Sequence, residues 1–288
     1  MQFTKAVRQK ARLRLALSGP SGSGKTWGAL TLAKGLGGKI AVIDTERGSA
    51  SLYEHLADFD VLNLDAPFTP ERYIAAIKAA EAGDYNVLII DSITHEWNGV
   101  GGCLELVDEI ARARYKGNSW SAWNDVTPRH RALLDTILQS PLHVIVTMRS
   151  KTETAQTEEN GRKRIVKLGM KAEQRDGFEY EMTVVLDIVH DGHYATASKD
   201  RTGLFTDKDP APITEATGAA LREWLESGVA TPDVVAILNS IGRAASMEAL
   251  KSHYDAALQI LPEPHHAAIR KATNARKAEL QTREETTA

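Results

Sequence analysis

The sequence predicts an α/β fold, a mostly parallel sheet between helices, with a small helical domain after it. Three observations predict this. Apolar runs suited to burial on both faces alternate with helix-length amphipathic stretches over the first two thirds of the chain, as in a parallel sheet covered on both sides. The first run leads into Gly19-Pro20-Ser21-Gly22-Ser23-Gly24-Lys25-Thr26, whose G-x-x-x-x-G-K-T spacing marks a phosphate-binding loop between strand and helix. From Ile213 onward only helical periodicity remains.

Taken in order, residues 13–17 are the first strand and 27–36 the helix that leaves the loop. Residues 39–44 form the second strand, followed by turn-rich Thr45 to Ser49 and a helical stretch near 51–57. A short strand at 61–64 precedes a helix at 70–82, which opens on a proline where a missing N–H costs nothing. Residues 86–91 are a continuous apolar strand, 104–113 and 128–139 are helices, and 142–147 is another buried strand. The polar stretch 150–174 reads as a long loop, and loops of that length inside a domain usually have a function. Strands at 184–189 and 193–198 flank Asp191-Gly192, a strong hairpin signal. A helix spans 214–226. The stop at Ser227-Gly228 and the Thr231-Pro232 pair place a boundary there, giving an N-terminal segment (1–12), a core (13–228) and a helical domain (229–288).

The 288-residue chain carries a net charge of −3 and a pI near 6.3, so any contact with nucleic acid must come from local basic segments. Cys103 is the only cysteine, which excludes an internal disulfide or a cysteine-based metal site and suits a reducing cytosol. The chain has no 18-residue apolar run and its N-terminus lacks a signal h-region. The expectation is a soluble, cytoplasmic protein with no membrane partner.

In the phosphate loop, glycines let backbone N–H groups turn inward around a β-phosphate, Lys25 reaches the β/γ oxygens, and Thr26 ligates Mg²⁺. The loop therefore implies ATP and Mg²⁺ as cofactors. Asn86-Val-Leu-Ile-Ile-Asp91-Ser92 has the form of a Walker B strand, with Asp91 in the Mg²⁺ shell. Hydrolysis also needs a base to orient water, and two acids compete: Glu46, two residues past strand-ending Asp44, and Glu96, on a helix after Asp91.

Here the chain resembles the RecA family, whose strand after the phosphate-loop helix ends in Asp-x-Glu and whose Walker B ends Asp-Ser. The resemblance covers residues 13–205 and implies a RecA-like P-loop NTPase core with Glu46 as catalytic base. AAA-type ATPases place a Glu directly after the Walker B Asp; Ser92 stands there, which favours RecA over AAA. Thr147 and Arg149 occupy the strand tip where RecA relatives carry a polar sensor. Ser198-Lys199-Asp200-Arg201-Thr202-Gly203 resembles the Lys-x-Arg-x-Gly element of DnaB-type helicases and RadA-like recombinases, implying that Lys199 and Arg201 act on the next subunit's nucleotide. Phe3-Thr4-Lys5-Ala6 resembles the Phe-x-x-Ala polymerisation motif of RadA-type proteins and points to a filament or ring.

RecA relatives bind single-stranded DNA through loops after the Walker B helix and the sensor strand. In the first position Arg112, Arg114, Lys116, Trp120 and Trp123 interleave cations with aromatics, the combination that pairs phosphates and stacks bases. In the second lie Lys151, Arg162, Lys163, Arg164 and Lys167. The size of the chain resembles phage RecA-like ATPases of recombination and single-strand annealing. That likeness implies single-stranded DNA, other copies of the chain and a single-strand-binding protein as partners. A DnaB-like hexameric helicase motor and a RecA-fold regulatory ATPase without nucleic acid stay open as alternatives.

Overall fold

Each apolar run of the core forms a strand, and its alternate residues enter two different cores. The computed structural model describes residues 5–159, 162–229, 232–261 and 263–287, with side chains described outside 152–170 and 283–287. In chain order the elements begin β1 (Arg14–Gly19), α1 (Lys25–Leu36), β2 (Ile40–Asp44), β3 (Phe59–Asn63), α2 (Pro70–Ala82) and β4 (Val87–Asp91). There follow α3 (Thr94–Asn98), α4 (Cys103–Arg114), α5 (Ser119–Gln139), β5 (His143–Glu159), β6 (Arg162–Ala172) and α6 (Phe178–Glu181). The core closes with β7 (Val184–Ile188), β8 (Tyr194–Asp200), β9 (Ala211–Pro212) and α7 (Glu215–Glu226).

Among the described residues the sheet has the order β3-β2-β4-β5-β1-β7-β8-β9, with β6 paired to β5 off that path. Strands β3 to β7 along this order are parallel, and β8 and β9 return antiparallel. The period of two sends Leu15, Leu17, Val42 and Ile89 to one face with Leu30 and Leu221, beneath α1 and α7. Ala16, Ile43 and Ile90 face the other way with Tyr73, Ile77, Leu133 and Ile137, beneath α2 and α5. This is the α/β architecture of a P-loop NTPase core, a mostly parallel sheet between helices. Helices α1 and α7 cross where Gly35 meets Gly218; a Cβ on either would collide with the other helix's backbone.

Three expectations change. The stretch 150–174 is not a structureless loop: β5 runs on past the sheet and pairs antiparallel with β6 from Ser150↔Ala172 to Glu159↔Arg162. The pairing is made by backbone groups, which its polar side chains do not oppose. Helix α5 starts at Ser119 rather than 128, because Asn118 caps it by accepting from the Ser121 N–H. Its buried face, Ala122, Val126, His130, Leu133 and Ile137, continues through Pro128, so packing outweighs the bond the proline lacks. Residues 51–57 form no α-helix; a 3₁₀ turn at Ser49–Tyr53 stands there.

The chain divides into two compact units. One is Ala11–Ser227; the other joins the segment through Lys10 to Gly228–Ala288. In the second unit α8 (Val234–Gly242), α9 (Met247–Ile260) and α10 (His266–Thr287) bury Ile241, Leu250, Leu261, Ile269 and Leu280 among themselves. Asp233 and Ser246 cap α8 and α9, and Gln9 forms a parallel bridge to Val229. Phe3 of the polymerisation motif lies outside the described residues. No described helix is long and apolar enough to cross a membrane.

At the amino edge of the sheet, buried Arg14 donates to the carbonyls of Leu138, Ser140 and Leu142 at the end of α5, where a cation meets the helix dipole. Burial lowers its pKa to about 10. Beside it His143 accepts from the Leu13 N–H at Nδ1, 3.0 Å. Burial, then Arg12 and Arg14, lower the His143 pKa from 6.5 to about 4. The unfolded chain thus binds a proton that the folded chain refuses, and stability is lost as pH falls from 6.5 towards 4. The loss attributable to this site is about 3 kcal/mol at most. Urea unfolding across that range should show His143→Gln less acid-sensitive than the wild type; equal sensitivity would remove His143 from the account.

Candidate functional site

The site lies at the carboxyl ends of β1, β2, β4 and β5, the edge at which open α/β sheets bind ligands. Strand β1 ends at Gly19 and α1 begins at Lys25. Between them Gly22 (φ 74°) and Gly24 (φ 91°) hold left-handed conformations that a side chain would strain. Lys25 Nζ donates to the carbonyls of Gly19 and Pro20 at 3.0 and 2.8 Å. Burial lowers the Lys25 pKa, and Asp91 and Glu46 oppose that shift.

Asp91 ends β4 and is 2 % exposed. Its Oδ2 accepts from Thr26 Oγ1 at 2.6 Å and its Oδ1 from Thr147 Oγ1 at 2.5 Å. Burial pushes its pKa up, and both hydroxyls pull it back. Thr147 is fully buried and committed to Asp91; Arg149 is the exposed polar group of that strand tip.

On the next strand Asp44 pairs in register with Asp91. Its carboxylate accepts from the N–H groups of Glu46 (2.6 Å) and Ala50 (2.8 Å), which turns the chain and places Glu46 at the site. Arg149 Nη2 and Nε donate to Glu46 Oε1 at 2.8 and 3.1 Å. The convergent oxygens of Thr26 and Asp91 are hard donors that fit Mg²⁺.

The second candidate base is placed differently. Glu96 on α3 is fully buried. Its carboxylate lies 3.0 Å from Cys103 Sγ, 3.0 Å from His130 Nδ1 and 3.3 Å from Gln174 Nε2, with those donors occupying the positions a water would need. Sole cysteine notwithstanding, Cys103 thus sits in a Glu-Cys-His cluster, and burial, then Glu96, pushes its thiol pKa up.

Lys199 and Arg201 stand at the opposite edge. Asp200 pairs with Val184 at the start of β7, the Arg201 N–H donates to Thr183 O, and the Thr183 N–H donates to Arg14 O. Arg201 is therefore level with the start of β1, about 16 Å along the strands from Gly19 at ~3.3 Å per residue, and Lys199, paired with Val185 beside Ala16, about 10 Å from it. Lys199 Nζ donates to the Glu179 and Tyr180 carbonyls, and Arg201 Nη2 to Tyr180 O at 2.8 Å. Burial, then the Arg201 charge, lowers the Lys199 pKa. The Asp200 carboxylate between them accepts from Thr202, Phe205 and Thr206, shaping the following loop. Those bonds hold its pKa down against the opposing effect of burial.

A groove of about 690 Å³ lies beside α3 and the base of the β5–β6 hairpin. Trp120 at its rim is 87 % exposed. Trp123 stacks on Trp97 with centroids 5.6 Å apart and planes 23° apart, and the Arg175 guanidinium lies 5.7 Å from the Trp123 ring. Lys151 and Lys171 also line it, paired with Glu173 and Asp176. Trp120, Trp123 and Lys151 are thus brought together. Arg112, Arg114 and Lys116 are exposed but outside this lining, and Arg114 pairs with Asp125. Arg162, Lys163, Arg164 and Lys167 belong to β6, and their side chains lie outside the described residues. Trp97 and Arg175 were not expected at the groove from the sequence, where neither adjoins a motif of aromatics and cations.

A phosphate loop, a Walker B aspartate bonded to its threonine and a parallel sheet between helices define a P-loop NTPase. The chain belongs to an AAA domain family: the family model described as "AAA domain" matches residues 11–211, which makes a nucleotide-hydrolysing ATPase the general class. No curated protein matches the chain. The AAA description stands although Ser92, not an acid, follows Asp91 and donates its N–H to Thr45 Oγ1 at 2.9 Å.

Glu96→Leu removes the acceptor shared by three buried donors and should cost about 3 kcal/mol in urea unfolding. An unchanged midpoint would show that the cluster does not hold α3 to α5.

Proposed function

We propose that the protein is an ATPase of the RecA-like phage type, binding single-stranded DNA for recombination or annealing and hydrolysing ATP at interfaces between copies of the chain. One observation carries the link between nucleotide and DNA. Gln174 Nε2 bonds both Ile93 O, two residues past Asp91, at 3.1 Å and the Glu96 carboxylate, while the next residue, Arg175, lies on Trp123. The residues after the Walker B strand and the tryptophan groove are thus linked through Gln174, by its hydrogen bonds and by the contact of its neighbour Arg175 with Trp123.

In this reading Lys25 and the loop N–H groups bind the phosphates, and Thr26 with Asp91 would hold Mg²⁺, whose charge would offset that of the phosphates. Glu46 accepts a proton from the attacking water once Arg149 gives it up. Lys199 and Arg201 meet the γ-phosphate of a neighbouring copy, a contribution on the order of 10³-fold or more in rate for such cations. Base stacking on Trp120 and the exposed edge of the Trp97–Trp123 pair, with Lys151, Lys171 and Arg175 at the phosphates, accounts for strand binding without sequence preference.

Lys25→Ala should abolish nucleotide binding, and Glu46→Gln should bind nucleotide without turnover. Full activity in Glu46→Gln would remove it as base. Arg201→Ala should lose turnover and regain it when mixed with Lys25→Ala chains, whose Arg201 is intact; no recovery in the mixture contradicts completion by a neighbour. Trp120→Ala should weaken a labelled oligonucleotide on the order of tenfold, measured by fluorescence anisotropy. Unchanged affinity would favour a regulatory ATPase without nucleic acid.

A further inference from the structure

The turn between β7 and β8 carries two histidines onto the phosphate loop. His193 Nδ1 lies 3.0 Å from the Ser23 carbonyl oxygen; since a carbonyl only accepts, Nδ1 carries the proton. Its ring also packs 3.4 Å from where a Cβ on Gly24 would stand, and His190 Nε2 lies 3.3 Å from the corresponding position on Gly22. The two rings are 6.3 Å apart. The glycines that free the loop to wrap phosphate thus have imidazoles against their open sides.

Beyond its first residue in β1 and Thr26 Oγ1 on Asp91, the loop has few bonds to hold it there. Ser23 is fully buried and its Oγ has no hydrogen-bond partner. Lys25 bonds only Gly19 and Pro20 of the loop itself. Among the described residues His193 is the side chain from outside 19–26 that bonds the loop's backbone. To do so it adopts φ 54°, after Gly192 at φ 74°, a conformation non-glycine residues seldom take and one that clusters at functional sites. The Val189 N–H donating to Tyr194 O at 3.0 Å closes the turn beneath it.

We infer that His193 is a positioning residue of the nucleotide site, its Nδ1–H fixing the Ser23 carbonyl so that the loop's N–H groups stay turned towards the phosphates. The inference rests on the reading of 19–26 as a nucleotide site and on nothing about DNA. It acts on binding: a preset loop spares the nucleotide the cost of ordering it.

The test is binding of a fluorescent adenosine diphosphate with Mg²⁺, alongside steady-state ATP turnover. His193→Gly accepts the positive φ but deletes the donor, and should raise Kd and KM about two- to tenfold, the range of one neutral hydrogen bond, with kcat within about twofold. His193→Asn places an amide N–H near the Nδ1 position and should restore the wild-type Kd. His193→Gln places it near Nε2 and should not. Wild-type affinity in His193→Gly, or equal affinities in the Asn and Gln variants, overturns the inference. Lys25→Ala separates the two failures: if it too binds normally, the nucleotide reading of the loop has failed, and if it does not bind, only the role of His193 has.

Discussion

The structure turns on one buried carboxylate. Asp91 is withdrawn from water at the end of β4, and an ionised carboxylate there is tolerable only with donors on both oxygens. The donors come from different parts of the chain, Thr26 from the first turn of α1 and Thr147 from β5. Two hydroxyls therefore tie the helix of the phosphate loop, the Walker B strand and the neighbouring strand into one unit. Asp44, one strand over, is a second carboxylate held by donors, accepting from the Glu46 and Ala50 N–H groups and so fixing the turn that carries Glu46. Charge placement at this edge is thus settled by hydrogen bonds before any nucleotide arrives.

The same sheet sets the Lys199–Arg201 pair apart from this edge. Because β8 runs antiparallel to β7, it starts beside the phosphate loop with the His190–His193 turn and ends at the far edge with Lys199 and Arg201. One hairpin delivers histidines to its own chain's loop and displays cations away from it. An Asp200-centred set of hydrogen bonds shapes the display, and the Glu179 and Tyr180 carbonyls orient the two side chains. The proposal that these two cations serve another copy of the chain rests on this placement and on their bonds to the α6 carbonyls.

Much of this was legible in the sequence, and the parts that were not share a cause. Strands β2 and β4 are apolar on both faces and end in acids, and α2 opens on Pro70, so local pattern and tertiary structure agree. Lys25, Thr26 and Asp91 announce themselves by spacing. The pairing of β5 with β6 did not, because backbone groups make it without any apolar pattern in the sequence, and Pro128 suggested a helix start that the buried face of α5 overrides. The Glu46–Arg149 pair spans 103 positions, and Trp97 meets Trp123 and Arg175 only in the fold. The likeness to RecA favoured Glu46 over Glu96 as candidate base, and the burial of Glu96 among three donors could be seen only in the fold.

The central claim is that each nucleotide site is finished by the next copy of the chain. Electron microscopy of the protein with a non-hydrolysable ATP analogue, with and without single-stranded DNA, tests it most directly. The account predicts a filament or ring in which Lys199 and Arg201 of one protomer face the phosphate loop of its neighbour. Nucleotide-saturated particles that remain single chains, or an assembly with that edge turned to solvent, would contradict it.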